Sequence, residues 1–160
     1  MTNDITAPVV HAEGLPVCHR GAIYPWHHDH MGHMNVQHYI GKFDEATWNL
    51  FALFGVTAKT LREDGYNMAA LQQDIRYKAE LVAGDIIAVT SRVERLSNKT
   101  VTFSHEMRNL GTGAVSAQIR NIACFINSST RQSMAIPEDL RARMTALVTE
   151  HDAICGTADV

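Results

Sequence analysis

The chain has 160 residues, 46% apolar and 19% charged, with a formal net charge of −3. That is one ordinary domain able to bury its own core, neither a disordered chain nor a strongly basic nucleic-acid binder. No apolar run approaches the roughly 20 residues that cross a bilayer, and Met1–Pro8 lacks the basic and apolar stretches of a signal peptide. Cys18, Cys124 and Cys155 are odd in number and far apart, which argues against disulfides and for a cytoplasmic setting. Without repeats or low-complexity blocks, the expected organisation is a flexible arm over 1–14, a single domain over 15–150 and a tail over 151–160.

The first expected element is a strand near Val17–Tyr24. The strongest signal follows it. Val36, Ile40, Phe43, Leu50, Phe51 and Phe54 recur with a helical period, with Gln37, Lys42, Glu45 and Asn49 between them. A helix over Val36–Phe54 would be about 28 Å long, with Asn35 as N-cap and Gly55 as its stop. Gly41 costs such a helix about 1 kcal/mol relative to alanine, which makes sense if another backbone packs closely there. A short helix is expected near Thr57–Glu63, then strands over Asn67–Tyr77 and Asp85–Leu96. Val101, Phe103, His105 and Met107 alternate with Thr102, Ser104, Glu106 and Arg108, the two-residue period of a further strand. The turn Gly111-Thr112-Gly113 leads into a strand over Ala114–Ile126, and Pro137-Glu138-Asp139 opens a last helix reaching Val148. Long strands joined by short turns form an antiparallel sheet, which must cover something apolar. The expected fold is therefore α+β, a curved antiparallel sheet of about five strands wrapped around one long central helix. Pairing of two copies would cover what stays exposed.

The chemistry-bearing segment is Trp26-His27-His28-Asp29-His30-Met31-Gly32-His33-Met34-Asn35, between the first strand and the long helix. A metal reading would use His30 and His33 with His27, His28 or Asp29, but such ligands need further partners from other elements, and the chain offers His105 and no obvious acidic cluster nearby, so no metal is expected. A plain reading makes His27, His28 and His38 surface residues and His105 a hydrogen-bonded core residue. A third reading uses the helix start. Its free N–H groups and partial positive charge can hold a developing oxyanion, and Asp29 can fold back towards the same point. A carbonyl polarised by an N–H and facing a carboxylate is equipment for ester or thioester hydrolysis, the carboxylate attacking directly or activating water. No Gly-x-Ser-x-Gly elbow is present.

Asp29-His30-Met31-Gly32-His33-Met34-Asn35, with Tyr39, Phe43 and Glu45-Ala46, resembles the opening motif of the 4-hydroxybenzoyl-CoA thioesterase group. Tyr77 followed by Gly84-Asp85 resembles its second marker, and Ile136-Pro137 its usual entry to the last helix; the likeness covers roughly residues 16–147. The resemblance implies the hotdog fold, an assembly of two or four copies, and hydrolysis of an acyl-CoA to a free acid and coenzyme A. No cofactor is implied, since coenzyme A is part of the substrate. It makes Asp29 the catalytic base or nucleophile and gives the Val36 backbone N–H the task of polarising the thioester carbonyl. Gly32 would let the backbone approach the thioester, His33 and Asn35 would shape the turn and cap the helix, and Tyr39 would line the acyl pocket.

Two positions depart from many relatives: Thr47 stands where arginine follows the Glu-Ala pair, and His27 where an aspartate precedes the catalytic one. The Gly-His-Met-Asn form is also similar to thioesterases acting on betainyl-CoA; Trp26, Tyr39, Trp48 and Glu45 are conceivable partners for such a cationic acyl group. The phosphates of coenzyme A call for basic or hydroxyl groups. Asn98, Lys99 and Thr100 in the turn after Ser97 are the first candidates, and Arg76, Lys78 and Arg131 the alternatives. Two other readings stay open, a thioesterase acting on an acyl-carrier protein and a non-catalytic acyl-CoA binding module.

Overall fold

The computed structural model describes residue 9 and residues 11–156. Five strands, β1 (Val17–Ala22), β2 (Tyr66–Tyr77), β3 (Ile86–Leu96), β4 (Thr100–Asn109) and β5 (Val115–Asn127), form one antiparallel sheet in the order β1-β3-β4-β5-β2. Three helices accompany it: α1 (Val36–Leu53), α2 (Ala58–Glu63) and α3 (Glu138–Cys155). The sheet's inner face, carrying Val89 and Val93 of β3, Phe103 and Met107 of β4, and Ala117, Ile119 and Phe125 of β5, shares one core with Tyr39, Phe43, Ala46, Leu50 and Phe51 of α1. The expected curved sheet around a long helix is what forms.

Helix α1 starts and stops for local reasons. The Asn35 side-chain oxygen accepts the Gln37 N–H at 3.0 Å, the N-cap bond that replaces a missing helical partner. Phe54 is the C-cap, and Gly55 follows at φ +93°, a conformation open to glycine at little cost. Gly41 does not serve the close packing expected of it, since a Cβ there would meet nothing within 4 Å. The apolar stripe is also rotated from expectation. Val36 is 56% and Ile40 37% exposed, leaving one flank of α1 uncovered above β2.

A polar seam fixes α1 on the sheet. His105 Nδ1 lies 2.7 Å from Ser91 Oγ, and Nε2 lies 2.9 Å from Thr47 Oγ1. Because Thr47 donates its only hydroxyl proton to the Phe43 carbonyl at 2.9 Å, it accepts from His105. His105 is therefore the neutral Nε2–H tautomer, with Nδ1 accepting from Ser91. Complete burial pushes its pKa down to about 3. Asn49 adds a second tie, donating from Nδ2 to the Cys18 carbonyl at 2.6 Å.

Helix α3 starts one residue after Pro137 and runs past Val148 to Cys155, so the tail expected over 151–160 is helical as far as Cys155; residues 157–160 lie outside the described residues. His151 is 1% exposed, and its Nδ1 accepts the Val93 N–H at 2.9 Å beyond the end of β1. Asp152 pairs with Arg92 at 2.8 Å. The sequence underestimates this helix because its tie to β3 is long-range. Residues 1–8 and 10 of the expected arm lie outside the described residues. Residues 9 and 11 lie against the sheet's outer face, where Gln118 Nε2 donates to the Val9 carbonyl at 3.3 Å and His11 bridges Thr90 and Ser104 at 2.9 and 3.2 Å.

Stability should fall in acid through His105. Its folded-state pKa lies below the unfolded value of about 6.5, so its contribution is present above that pH and is lost as pH falls towards about 3. In His105→Gln, the slope of unfolding free energy against pH between 6 and 4 is expected to be shallower by about one proton, about 1.4 kcal/mol per pH unit. Denaturant titrations across that range measure it; an unchanged slope would contradict a neutral buried His105.

Candidate active site

The loop between β1 and α1 is held by hydrogen bonds within itself and to the segment before β3. Ile23 N–H donates to the Asp85 carbonyl at 2.8 Å, and a one-turn 3₁₀ helix, Pro25–His27, redirects the chain. The Asn35 N–H returns to the His27 carbonyl at 2.9 Å, closing the loop, and the Met34 N–H donates to the Leu81 carbonyl at 2.8 Å. Between these ties the chain reverses over Asp29–Gly32, with Gly32 at φ +85°. A side chain there would be strained by the backbone angle alone.

Asp29 accepts the Met31 N–H on Oδ1 at 2.8 Å and the Asn35 side-chain N–H on Oδ2 at 2.6 Å. Asn35 thus links the carboxylate to the first turn of α1 through one amide. Its nitrogen side holds Asp29 and its oxygen side holds the Gln37 N–H. These bonds, first the Met31 N–H and then Asn35, hold the Asp29 carboxyl below the usual carboxylate range. The group is ionised at neutral pH, and each oxygen keeps lone-pair capacity beyond its one bond. Next to it, the Val36 N–H is the first of α1 and has no helical acceptor. It donates to no backbone carbonyl among the described residues.

A groove of about 340 Å³ opens beside this helix start, walled by His33, Val36, Tyr39, Tyr77, Lys78 and Glu80 among others. Tyr39 is buried and meets Tyr77 edge-on at 5.2 Å, with its hydroxyl 3.4 Å from the Ala79 carbonyl. His33 Nε2 lies 3.5 Å from Glu80 Oε1. The chain therefore brings Val36, His33 and Tyr39 to one groove and ties Asn35 to its rim. Asp29, partly exposed, is not part of the groove wall; Asn35 ties its carboxylate to the rim. No cluster of His, Cys, Asp or Glu able to hold a metal exists among the described residues.

Asn98, Lys99 and Thr100 are not at this place in a single chain. Tyr77 is level with Ala117 and Met107, whereas Thr100 is level with Cys124 at the other end of the sheet. The separation along β4 is roughly 23 Å at about 3.3 Å per residue. There the turn packs on the start of α3: Lys99 Nζ reaches Ser133 Oγ at 3.0 Å, and Arg141 donates to the Ser97 and Asn98 carbonyls at 2.8 and 2.9 Å.

Sequence reasoning missed a second pocket, further along α1. Past Ile40, the uncovered flank of α1 borders a pocket of about 270 Å³ closed by β2 and β5, in which Phe43, Phe51 and Phe103 meet Gln73 and Asn121. The available signal was Asn121 itself, a polar residue in the inward-facing row that otherwise reads Ala117, Ile119, Ala123 and Phe125.

Comparison with known proteins agrees with this architecture. No curated sequence matches the chain significantly. A hypothetical protein from Staphylococcus aureus solved in complex with CoA superposes with a TM-score of 0.79 at 21% identity, covering 87% of this chain and 88% of that one. The probable thioesterase YbaW from Escherichia coli gives 0.72 at 20% identity, covering 83% and 99%. A 1,4-dihydroxy-2-naphthoyl-CoA thioesterase from Synechocystis gives 0.71 at 14% identity, covering 81% and 95%. A sequence model of the thioesterase-like superfamily matches residues 24–144, from the site loop through β2, β3, β4 and β5 into α3, and the chain belongs to that superfamily.

Proposed function

We propose that the chain hydrolyses acyl-CoA thioesters. The observation that carries this reading is the hydrogen-bonded path Asp29–Asn35–first turn of α1 at the rim of a groove that Val36 lines. A thioester carbonyl oxygen placed on the Val36 N–H gains a preorganised donor at the positive end of a helix as charge develops on it. Asp29 then either takes a proton from a water that adds to the carbonyl carbon or adds to that carbon itself. The C–S bond breaks in both routes, coenzyme A leaves as its thiol or thiolate, and the second route needs a water to release the acid from Asp29. Family membership and the acyl-CoA thioesterases among the structural relatives support the same reaction class.

The working unit of this reading is a pair of chains. Among the described residues β2 pairs only with β5, so its other edge is open. Leu71, at the bulge of this edge strand, is 60% exposed. Joining two β2 edges about a two-fold axis would double the sheet and satisfy both edges. The pairing is antiparallel, so it would carry the Asn98–Thr100 turn of the second copy towards the Tyr77 end of the first. In this reading, that is how Lys99 could meet a phosphate held near the groove.

Asp29→Ala should lose turnover at least 100-fold across a panel of acyl-CoA thioesters while keeping the wild-type melting temperature within a few degrees, because its two bonds lie within the loop and none reaches the packed core. Thiol release and thermal melting measure both; equal rates in the two proteins would remove Asp29 from the mechanism. Asn35→Ala should cost about 1 kcal/mol of stability through the lost cap and should also lower kcat, since it frees Asp29 to rotate; an unchanged kcat would show that the amide only caps the helix. Leu71→Lys should convert the dimer to a monomer in sedimentation velocity and reduce turnover with it. A variant that stays dimeric would place the interface elsewhere.

A further inference from the structure

The pocket past Ile40 bears on which acyl group the site takes, and its role as an acyl pocket rests on the thioesterase reading. An apolar cavity of about 150 Å³ holds one benzene, so about 270 Å³ admits a substituted ring or a short chain. Its walls are not uniformly apolar. Asn121 is 4% exposed, and its side-chain oxygen accepts from Gln73 Nε2 at 3.0 Å. Its Nδ2 donates to nothing among the described residues, and the residue lines the pocket. A ligand that fills the pocket would bury this N–H, and a buried amide N–H without an acceptor is costly and rare. Thr47 lines the same pocket, but its bonds run to the Phe43 carbonyl and to His105. Asp44 stands at the same pocket and disfavours an anionic occupant. A plain hydrocarbon would dry the Asn121 nitrogen without replacing its lost water.

From this we infer that Asn121, held in place by Gln73, is the specificity-determining contact of the acyl pocket. It selects uncharged acyl groups that carry a hydrogen-bond acceptor, a hydroxyl or oxo oxygen, remote from the thioester. Two matched pairs test it: hexanoyl- against 6-hydroxyhexanoyl-CoA, and phenylacetyl- against 4-hydroxyphenylacetyl-CoA. The wild type should prefer the hydroxylated member of at least one pair by about tenfold or more in kcat/KM. Asn121→Leu should bring that ratio near one while the hydrocarbon member is held or improved. Asn121→Asp keeps the shape, removes the donor and should lose the preference too, which covers a leucine variant that fails to fold. Calorimetric binding of the matching S-alkyl-CoA thioethers reads the same preference without turnover. Preference in binding with no hydrolysis of any thioester would overturn the thioesterase reading and keep the pocket assignment. Hydrolysis with equal ratios in the wild type and both variants, or a wild-type preference for hydrocarbon, would overturn the assignment and keep the thioesterase reading.

Discussion

Everything at the site depends on where α1 stops along the sheet. An apolar face by itself permits sliding, because one hydrophobic contact replaces another at little cost. Buried polar groups do not, since each one left unpaired costs about 1–3 kcal/mol. The seam Ser91–His105–Thr47 and the bond from Asn49 to the Cys18 carbonyl are satisfied together at one position of the helix. With the middle of α1 fixed, its first turn is fixed too, and the Met34 N–H meets the Leu81 carbonyl beside it. The placement of Val36 at a groove is a consequence of core hydrogen bonds at His105, more than two helical turns away.

Asn35 converts that placement into chemistry. A capping residue needs only an acceptor, and serine or aspartate would cap as well as asparagine. Asparagine offers a donor on the same planar group, and here the donor holds Asp29. The carboxylate is thereby oriented and kept ionised, at the expense of basicity, because the bonds that orient it also lower its pKa. An ionised, weakly basic carboxylate suits attack at the carbonyl as well as it suits proton abstraction. Geometry, more than proton affinity, is what the cap contributes.

Much of this was legible in the residues. The period of α1, the alternation of β4 and the cap at Asn35 are local patterns, and the structure realises each within a residue or two. So is the Gly32 turn, since a left-handed angle leaves a glycine behind in the sequence. What was not legible depends on partners far away in the chain. The last turns of α3 form because His151 and Asp152 find β3, and no short window contains that fact. The rotation of α1 that exposes Val36 and Ile40 is set by the sheet and not by the helix's own period. Asn98, Lys99 and Thr100 suit a phosphate by chemistry and by their place in a turn between two strands, but strand register separates them from Asp29 within one chain.

That separation and the exposed flank of α1 are one fact seen twice. The sheet covers only part of the helix because it ends at β2, and it ends there with an open edge. Along that edge lie the groove at Val36, the pocket at Asn121 and the bulge at Leu71. A hydrolytic site open on one side forgoes the low-dielectric setting that strengthens an oxyanion contact. An open strand edge is also a liability in a free chain. A second copy seated against β2 would relieve both problems with one surface. In the proposed dimer it would cover the groove and bring the distant Asn98–Thr100 turn towards the Tyr77 end, where the proposed substrate's phosphates would need a cation. The open edge and the uncovered flank of α1 would then have a common remedy in one symmetric contact.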